Sequence, residues 1–252
     1  DCMRVAVVTP YYQESEAVLR RGLDSVQRQT HGDFVHYMVA DGHPRPDVLA
    51  GYTRVVAVNL PSAHADYGCT PRSVGAMLAL NEGADVVCFL DADNLFEPTH
   101  LESLVSTYHG ASSQGQVLHA VFASLHLFLP GHEHLRLVHA EDVAHRHVDT
   151  SCISLHRSAA FMWPLWGMIP KDATPICDRV MFDLIRLHRL QMAWTDRFTV
   201  LYESNWSTSY IQAGLPLPPE GLHDGTLGQV RLPPDEMLAR LRMWIPPSAP
   251  AA

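Results

Sequence analysis

The sequence reads Phe89-Leu90-Asp91-Ala92-Asp93-Asn94 directly after the apolar run Val86-Val87-Cys88. This pattern predicts a buried strand that ends in two carboxylates, with Asp91 and Asp93 on one side and Ala92 on the other. Two carboxylates so close together repel each other unless a cation lies beside them. Oxygen ligands of this kind suit Mg²⁺ or Mn²⁺, which in turn bind phosphates. The alternative interpretation is a turn whose Asp residues cap the helix that follows near Pro98.

Three apolar runs upstream of this stretch also end in polar or turn residues, which predicts further strands. We expect strands at Arg4–Thr9, Phe34–Ala40, Val55–Leu60 and Val86–Leu90, and helices at 15–29, 70–83 and 98–108. Ser15 and Thr70 are the expected N-caps, with Pro71 at the first helical position. Strands that alternate with helices in this way indicate an α/β fold with a doubly wound, mostly parallel sheet.

Ligands of doubly wound sheets bind at the carboxyl ends of the strands. Four polar residues occupy those ends in the predicted sheet: Thr9, Asp41, Asn59 and Asp91. We therefore expect a nucleotide-type crevice at this edge.

The second half of the chain is predicted to be less regular. We expect strands at 116–129, 147–156 and 198–202, a polar connection at 131–145, and a helix at 175–190. The stretch Gly214–Gly228 is too rich in glycine and proline for regular structure, and two interpretations stay open for it, a lid over the site and a linker. A helix at 234–244 and a disordered tail at 246–252 complete the prediction.

Composition argues against several classes of partner. The chain has 252 residues and a formal net charge of −9, from 18 basic and 27 acidic side chains. Because Lys and Arg form no cluster, a nucleic-acid partner is not expected. No apolar run approaches the ~20 residues of a membrane span, and no signal peptide is visible. Five scattered cysteines fit a reducing compartment, so we predict a cytoplasmic protein without a transmembrane segment.

Several motifs, in this order and spacing, resemble the family 2 nucleotide-sugar glycosyltransferases, which have the GT-A fold. They are Val7–Glu14, Leu23–Thr30, Val39–Gly42, Arg72 with Gly75, the Asp-x-Asp (DXD) stretch Phe89–Asn94 and, more weakly, Ile176–Asp178. The chain departs from the family pattern at Gln13, Ala40 and Cys177. The resemblance implies a nucleotide-sugar-binding half at 1–110 and an acceptor-side half of the same domain at 111–245.

The resemblance also implies roles for individual residues. Tyr12 would stack on the nucleotide base, Asp41 would accept a hydrogen bond from a base N–H, and Arg72 would reach the diphosphate. The alternatives are that Tyr12 packs under the crevice, that Asp41 belongs to a plain turn, and that Arg72 pairs with a crevice carboxylate. Further members of the implied nucleotide site are Thr9, Pro10, Glu14 and Asp91. The implied ligands of a Mn²⁺ or Mg²⁺ ion are Asp93, Asp91 and His223.

The expected reaction is metal-dependent transfer of a sugar, with inversion, from a nucleoside diphosphate sugar to an acceptor hydroxyl. UDP is the favoured nucleotide. Asp178, at the start of a predicted helix, is the candidate catalytic base, and its alternative role is that of an N-cap. Trp163, Trp166 and Trp206 are either an acceptor platform or core residues.

Two rival functions remain at this point. A nucleotidyltransferase would usually have a glycine-rich loop after the first strand, whereas this chain has no glycine between Pro10 and Gly22. A non-catalytic nucleotide-sugar-binding module would not need Asp91, Asp93 and Asp178 together.

Overall fold

The computed structural model describes residues 3–138, 147–219 and 221–222. Nine strands are described: β1 (Val5–Tyr11), β2 (Phe34–Ala40), β3 (Val55–Asn59), β4 (Val86–Phe89), β5 (Leu95–Phe96), β6 (Ala120–Leu129), β7 (His132–Leu137), β8 (Ile153–His156) and β9 (Met192–Glu203). Six α-helices accompany them: α1 (Glu16–Gln27), α2 (Pro46–Leu49), α3 (Cys69–Asn81), α4 (His100–Ser113), α5 (Cys177–Leu187) and α6 (Ser207–Ala213). Three 3-10 segments lie at Thr150–Cys152, Arg157–Met168 and Lys171–Ile176.

All nine strands join one sheet, in the order β3-β2-β1-β4-β8-β6-β9-β5, with β7 paired to β6. Strands β1 to β4 are mutually parallel, and β6 and β9 run in the same direction because β8 is antiparallel to both β4 and β6. Six of the nine described strands therefore share the direction of β1. The expectation of an α/β fold with a mostly parallel sheet is confirmed.

Helices cover both faces of the β1–β4 region. Leu19 and Leu23 of α1 pack with Met38 in one cluster of buried side chains. On the other face, α3 lies so close to β1 and β2 that a Cβ at Gly75 would be 2.6 Å from Val8 Cγ1 and 3.0 Å from Val39 Cγ2. Because Met38 and Val39 are neighbours in a strand, they face opposite sides. The sheet is thus doubly wound.

Strand β1 continues to Tyr11, two residues beyond the end at Thr9 that the sequence predicts. Pro10 pairs with Val39 of β2 in register. The missing N–H of Pro10 is tolerated because it faces the β4 side, where the pairing ends at Val8 and Phe89.

The N-terminus of α1 is as predicted, whereas that of α3 is different. Ser15 caps α1, since its Oγ accepts a hydrogen bond from Val18 N at 3.3 Å. The N-cap of α3 is Gly68, with φ of 78°, and Thr70 lies inside the helix. Asp66 takes over the capping role because its Oδ2 accepts from Thr70 N at 2.9 Å and from Thr70 Oγ1 at 2.6 Å.

The second half is more regular than predicted. The segment expected to be a polar connection contains β7, an edge strand whose residues are all partly or fully exposed. Strand β9 begins at Met192, six residues before its predicted start, and the predicted helix at 175–190 is a 3-10 segment followed by α5. The segment Arg157–Met168 and helix α6 have no counterpart in the prediction. The helix at 234–244 and the tail lie outside the described residues.

The tryptophans of the Arg157–Met168 segment belong to the core. Trp163 and Trp166 are fully buried, and Trp166 contacts Phe89 edge-on at a centroid distance of 5.0 Å. Neither can therefore form the acceptor platform that was one interpretation of these residues. Trp206 is partly buried beside Tyr202, with ring centroids 6.3 Å apart.

Candidate active site

The carboxyl ends of the four parallel strands meet at one edge of the sheet, as predicted. Tyr11 pairs with Ala40, which in turn pairs with Asn59, and Val8 pairs with Phe89. Asp41 N donates to Tyr11 O at 2.7 Å. The edge therefore brings together the segments that follow β1, β2, β3 and β4.

The segment after β4 is a tight turn that is tied to the second half of the chain. Asn94 N donates to Asp91 O at 3.0 Å. Asp91 N and Asn94 Nδ2 both donate to Ser151 Oγ, at 3.2 and 2.9 Å, and Asn94 Oδ1 accepts from Glu203 N at 3.0 Å. Asn94 therefore joins the Asp91–Asn94 turn to both the 3-10 segment before β8 and the end of β9.

Arg72 lies beneath this turn and is 4% exposed. Its guanidinium forms an ion pair with Asp91 Oδ1, donates to Tyr67 O at 2.7 Å, and lies over the Trp166 ring at 5.3 Å. Pairing with a crevice carboxylate, the alternative interpretation from the sequence, is thus what the structure shows for Arg72. Contact with a diphosphate stays a prediction.

The crevice contains more acidic groups than Arg72 can neutralise. Partial removal from water, followed by repulsion from Asp91 and Glu203, raises the pKa of Asp93 to about 7, although this residue keeps an exposed surface that screens the effect. Burial, followed by repulsion from Asp91 and Asp178, raises the pKa of Asp149 well above its ordinary value. Burial, followed by repulsion from Asp149 and Asp93, raises the pKa of Tyr202. A divalent cation would relieve this repulsion.

The protein side chains described here supply only part of a metal coordination sphere. Across residues 3–138, 147–219 and 221–222, no group of three or more His, Cys, Asp and Glu side chains could hold a metal ion. Asp91 and Asp93 fit the usual Mg²⁺ arrangement, in which one or two carboxylates bind and substrate phosphates complete the sphere. The predicted third ligand, His223, lies outside the described residues, as do residues 220 and 223–228 of the predicted lid.

Asp178 lies in the first turn of α5 and is not its N-cap, which is Ile176. Its Oδ1 accepts from Arg179 N at 2.7 Å, and its Oδ2 is 2.7 Å from His147 Nε2. Asp178 is close enough to Asp149 and Tyr202 to affect the pKa of each. The structure therefore brings the candidate base to the same acidic crevice as Asp91 and Asp93, although its catalytic role stays a prediction.

The candidate nucleotide residues after β1 have different environments. Tyr12 is 43% exposed and meets the His43 ring edge-on at a centroid distance of 4.6 Å. Glu14 Oε2 accepts from Tyr12 N at 2.7 Å and holds this turn. Thr9 is buried, with its Oγ1 2.8 Å from His36 Nε2, and Pro10 lies within β1. Of these four, Tyr12 has the most accessible side chain.

Asp41 is 5% exposed and is held by the segment that follows β3. Its carboxylate accepts from His64 N at 3.0 and 3.1 Å, and from Ala65 N at 3.4 Å. His64 Nδ1 lies 2.9 Å from Asp41 Oδ1. Asp41 is thus more than the plain turn residue that was its alternative role, and its contact with a base stays a prediction.

Several residues that build this crevice were not found from the sequence. They are Arg21, His64, His147, Asp149, Ser151, Tyr202 and Glu203. One feature of the sequence could have pointed to two of them. Asn94, which forms hydrogen bonds with Ser151 and Glu203, directly follows the Asp-x-Asp pattern. The others come from distant segments whose local patterns carry no mark of a site.

Comparison with known proteins agrees with the resemblance to family 2 glycosyltransferases. Residues 6–125 match the family model described as "Glycosyl transferase family 2". The succinoglycan biosynthesis protein ExoW of Rhizobium meliloti (strain 1021) is 34% identical over 105 residues, which cover 39% of this chain and 32% of ExoW.

Two solved structures share the fold. S. aureus TarS 1–349 in complex with UDP has a TM-score of 0.59 and 12% identity, over 81% of this chain and 61% of that one. A mannosyltransferase from Pyrobaculum calidifontis, in complex with GDP-Man and Mn²⁺, has a TM-score of 0.56 and 13% identity, over 83% of this chain and 59% of its own. The chain covers less than two thirds of each of these three proteins.

No helix in the described residues is both long enough and apolar enough to cross a membrane. The family match extends from β1, across the Asp91–Asn94 turn, into β6, and therefore contains the carboxyl ends of β1 to β4. Residues 6–125, just under half of the chain, are therefore similar to glycosyltransferase family 2.

Proposed function

We propose that this protein transfers a sugar from a nucleoside diphosphate sugar to an acceptor hydroxyl. The observation that carries the proposal is the convergence of Asp91, Asp93, Asp149 and Asp178 in one crevice at the carboxyl edge of a family 2 domain. The names of the relatives, which include a mannosyltransferase, agree with this reaction class.

The proposed donor has UDP as its nucleotide. Tyr12 offers an exposed ring on which a base can stack. Asp41 and the polar groups around it lie at the end of the adjacent strand β2. The fold neighbours TarS and the mannosyltransferase bind UDP and GDP-Man, so a guanine nucleotide is the second donor class to test.

Asp91 and Asp93 would hold a Mn²⁺ or Mg²⁺ ion. Such an ion supplies positive charge that stabilises the departing diphosphate. The two carboxylates suit this role because they repel each other and Glu203 when no cation compensates them. Arg72, which already binds Asp91, would hold that carboxylate in place.

Asp178 is the proposed catalytic base of an inverting reaction. The acceptor oxygen attacks the anomeric carbon while its proton passes to the Asp178 carboxylate, and the bond from that carbon to the diphosphate breaks with its electron pair. Asp178 lies in the first turn of α5, near the positive end of the helix dipole. His147, 2.7 Å from Asp178 Oδ2, fixes its orientation.

The decisive experiment measures which product the enzyme releases with Mn²⁺ from a panel of UDP- and GDP-sugars and, separately, from UTP or GTP with a sugar 1-phosphate. Sugar transfer or donor hydrolysis releases a nucleoside diphosphate, whereas a nucleotidyltransferase would release pyrophosphate from a nucleoside triphosphate. Release of nucleoside diphosphate that disappears in Asp178→Asn and persists in Asp172→Asn supports the proposal. Asp172 is a matched control because it is an exposed carboxylate in the preceding 3-10 segment.

If nucleotide sugars bind but no product forms with any donor or acceptor, the protein is a binding module. If Asp178→Asn retains full activity, another group takes the proton and the assignment of the base is wrong.

A further inference from the structure

The segment between β3 and α3 lies across the Asp41-Gly42 turn at the nucleotide edge of the sheet. A Cβ at Gly42 would come within 2.5 Å of Ala63 N and 2.8 Å of Ser62 C, so only glycine permits so close an approach. The segment also has left-handed backbone at non-glycine positions, with φ of 50° at Ala65 and 55° at Tyr67. Strained backbone of this kind persists where surrounding contacts hold it, and it often occurs at ligand sites.

Asp41 is the anchor of this segment. Two backbone N–H groups, of His64 and Ala65, and the His64 ring all point at its carboxylate. A carboxylate has about four acceptor sites, and this one is nearly inaccessible to solvent. A base N–H that approaches from the crevice would therefore compete with three donors for the Asp41 oxygens.

The His64 side chain is 37% exposed, so its contacts with Asp41 do not enclose it. Asp41 can only accept, so His64 Nδ1 carries the proton of their hydrogen bond. In the neutral ring, Nε2 is then an acceptor, and the ring geometry directs it away from Asp41. Tyr12 and His43 lie after the neighbouring strand ends and offer a stacking surface beside the same turn.

We infer that His64, rather than Asp41 itself, reads the donor base, and that it selects bases with an imino N–H. Uracil at N3 and guanine at N1 can donate to His64 Nε2. Cytosine and adenine have an acceptor at the corresponding position and would face it with repulsion. This inference rests on the proposed function, because it assumes that the crevice binds a nucleoside diphosphate.

The test compares the affinities of UDP, GDP, CDP and N3-methyl-UDP by calorimetry in the presence of Mn²⁺. The wild-type protein should bind UDP or GDP ~10- to 100-fold more tightly than CDP, the range expected when a partly exposed polar group loses its partner. N3-methyl-UDP should bind as weakly as CDP. Equal binding of UDP, GDP and CDP by the wild-type protein overturns the inference.

Two substitutions separate base reading from anchoring of the segment. His64→Asn keeps a polar group at the position of Nδ1, next to Asp41, and loses Nε2. His64→Gln places a carbonyl oxygen near the position of Nε2. We expect the preference over CDP to fall to within ~3-fold in both variants, because a glutamine amide can accept from uracil or, rotated, donate to cytosine N3. Only His64→Gln should keep the affinity for UDP. His109→Asn, which changes an exposed histidine of α4, should leave both properties unchanged. Thermal unfolding of each variant confirms that it is folded.

The outcomes also separate this inference from the proposed function. If the wild-type protein binds UDP or GDP selectively and His64→Asn keeps that selectivity, the inference is wrong and Asp41 reads the base directly, while the proposed function stands. If the wild-type protein binds none of the nucleotides with Mn²⁺, both the inference and the proposed function fail.

Discussion

At the scale of single residues, the crevice concentrates negative charge on side chains that have few positive partners. Asp91 has Arg72, and Glu203 has Arg21. Partial removal from water, followed by repulsion from neighbouring carboxylates, raises the pKa of Asp93. Such an arrangement is costly for the free protein and favourable once a cation is bound, which is typical of functional rather than structural carboxylates.

The first prediction concerns Asp93. Replacement by Asn removes a negative charge while keeping the size of the side chain, and with it one of the two proposed metal ligands. We expect Mn²⁺-dependent turnover to fall by at least ~100-fold, since the metal interaction is worth several kcal/mol. Turnover with saturating donor, measured against Mn²⁺ concentration, tests this.

The control for Asp93 is Asp196→Asn, which changes an exposed carboxylate on β9, seven residues before Glu203. Near-full activity of Asp93→Asn, or wild-type activity that survives EDTA, would show that the reaction does not depend on a metal ion at Asp93.

Two buried histidines give the second prediction, which concerns pH. His36 and His100 are each fully buried, and burial lowers the pKa of both to about 3. Among the described residues, His36 Nδ1 and His100 Nε2 find no hydrogen-bond partner, so the charged form of each ring is poorly accommodated.

In the unfolded chain these histidines take up protons near pH 6.5, whereas in the folded protein they do not until about pH 3. Their contribution to stability is therefore intact above pH 6.5 and is lost progressively as the pH falls below it. The elevated pKa values of Asp93 and Asp149 act in the opposite direction, so the prediction is made for the difference between a variant and the wild type.

Between pH 7 and pH 5.5 we expect the wild type to lose about 1 kcal/mol more stability than His36→Gln does. Urea unfolding at the two pH values measures this difference, and His109→Asn serves as the exposed control. Parallel pH dependence of wild type and His36→Gln would mean that His36 is protonated in the folded protein.

At the scale of elements, the edge is organised by the close packing of α3 on the sheet. Gly75 lets the helix approach β1 and β2, and three residues earlier in the same helix Arg72 reaches Asp91. Residues three apart lie on the same side of a helix. Both the contact of α3 with the sheet and the Arg72–Asp91 ion pair therefore depend on where the helix lies. A shift of α3 would move Arg72 away from the Asp91–Asn94 turn.

The third prediction follows from this packing. The Cβ added in Gly75→Ala would lie 2.6 Å from Val8 Cγ1 in a buried interface, which should destabilise the protein by ~1–3 kcal/mol. Gly110→Ala is the matched control, because Gly110 lies inside α4 with no heavy atom within 4 Å of an added Cβ. That change should stabilise the helix by ~0.5–1 kcal/mol. Chemical unfolding of both variants measures the contrast, and equal effects would contradict it.

At the scale of the whole molecule, the site exists because the two halves of the chain form one sheet. Strand β9 brings Tyr202 and Glu203 to the Asp91–Asn94 turn, and Ser151 and Asp149 arrive from the segment before β8. Arg21 of α1 spans the junction between the two halves of the chain. It donates to Asp93 O at 3.1 Å and pairs with Glu203. It also lies 3.4 Å from Glu133 of β7 and over the Phe128 ring.

The fourth prediction therefore concerns Arg21→Met, which keeps an apolar stem on Phe128 and removes the charge. Glu203 would lose its main cation in a site where both side chains are about one fifth exposed. We expect a loss of ~1–3 kcal/mol in unfolding free energy and weaker binding of the nucleotide with Mn²⁺, because Asp93 loses a fixed backbone contact.

Arg20→Met tests whether any arginine of α1 would have the same effect. The Arg20 side chain is 41% exposed, pairs with Glu16 within the helix and donates to Val48 O at 3.3 Å. Its loss should cost less than about 1 kcal/mol. Unfolding and nucleotide titrations on both variants give the comparison. An Arg21→Met protein as stable as Arg20→Met would show that the junction does not depend on this ion pair.

The sequence by itself determined the parallel half of the fold and the position of its crevice. Strands β1 to β4 and helices α1 and α3 follow from short-range signals, namely apolar runs that end in polar residues and a serine N-cap. Parallel strands share one carboxyl edge, so Asp41 and Asp91 could be placed together from their positions alone.

Only the tertiary structure decided the rest, because it depends on contacts between residues that are far apart in the chain. Strand β7 is polar and forms by pairing with β6, as edge strands can without an apolar face. The partners of the crevice acids are 19 residues away for Asp91 and Arg72, 23 for Asp41 and His64, and 31 for Asp178 and His147. Local periodicity carries no information about such pairs, since packing of the whole sheet selects which side chains meet.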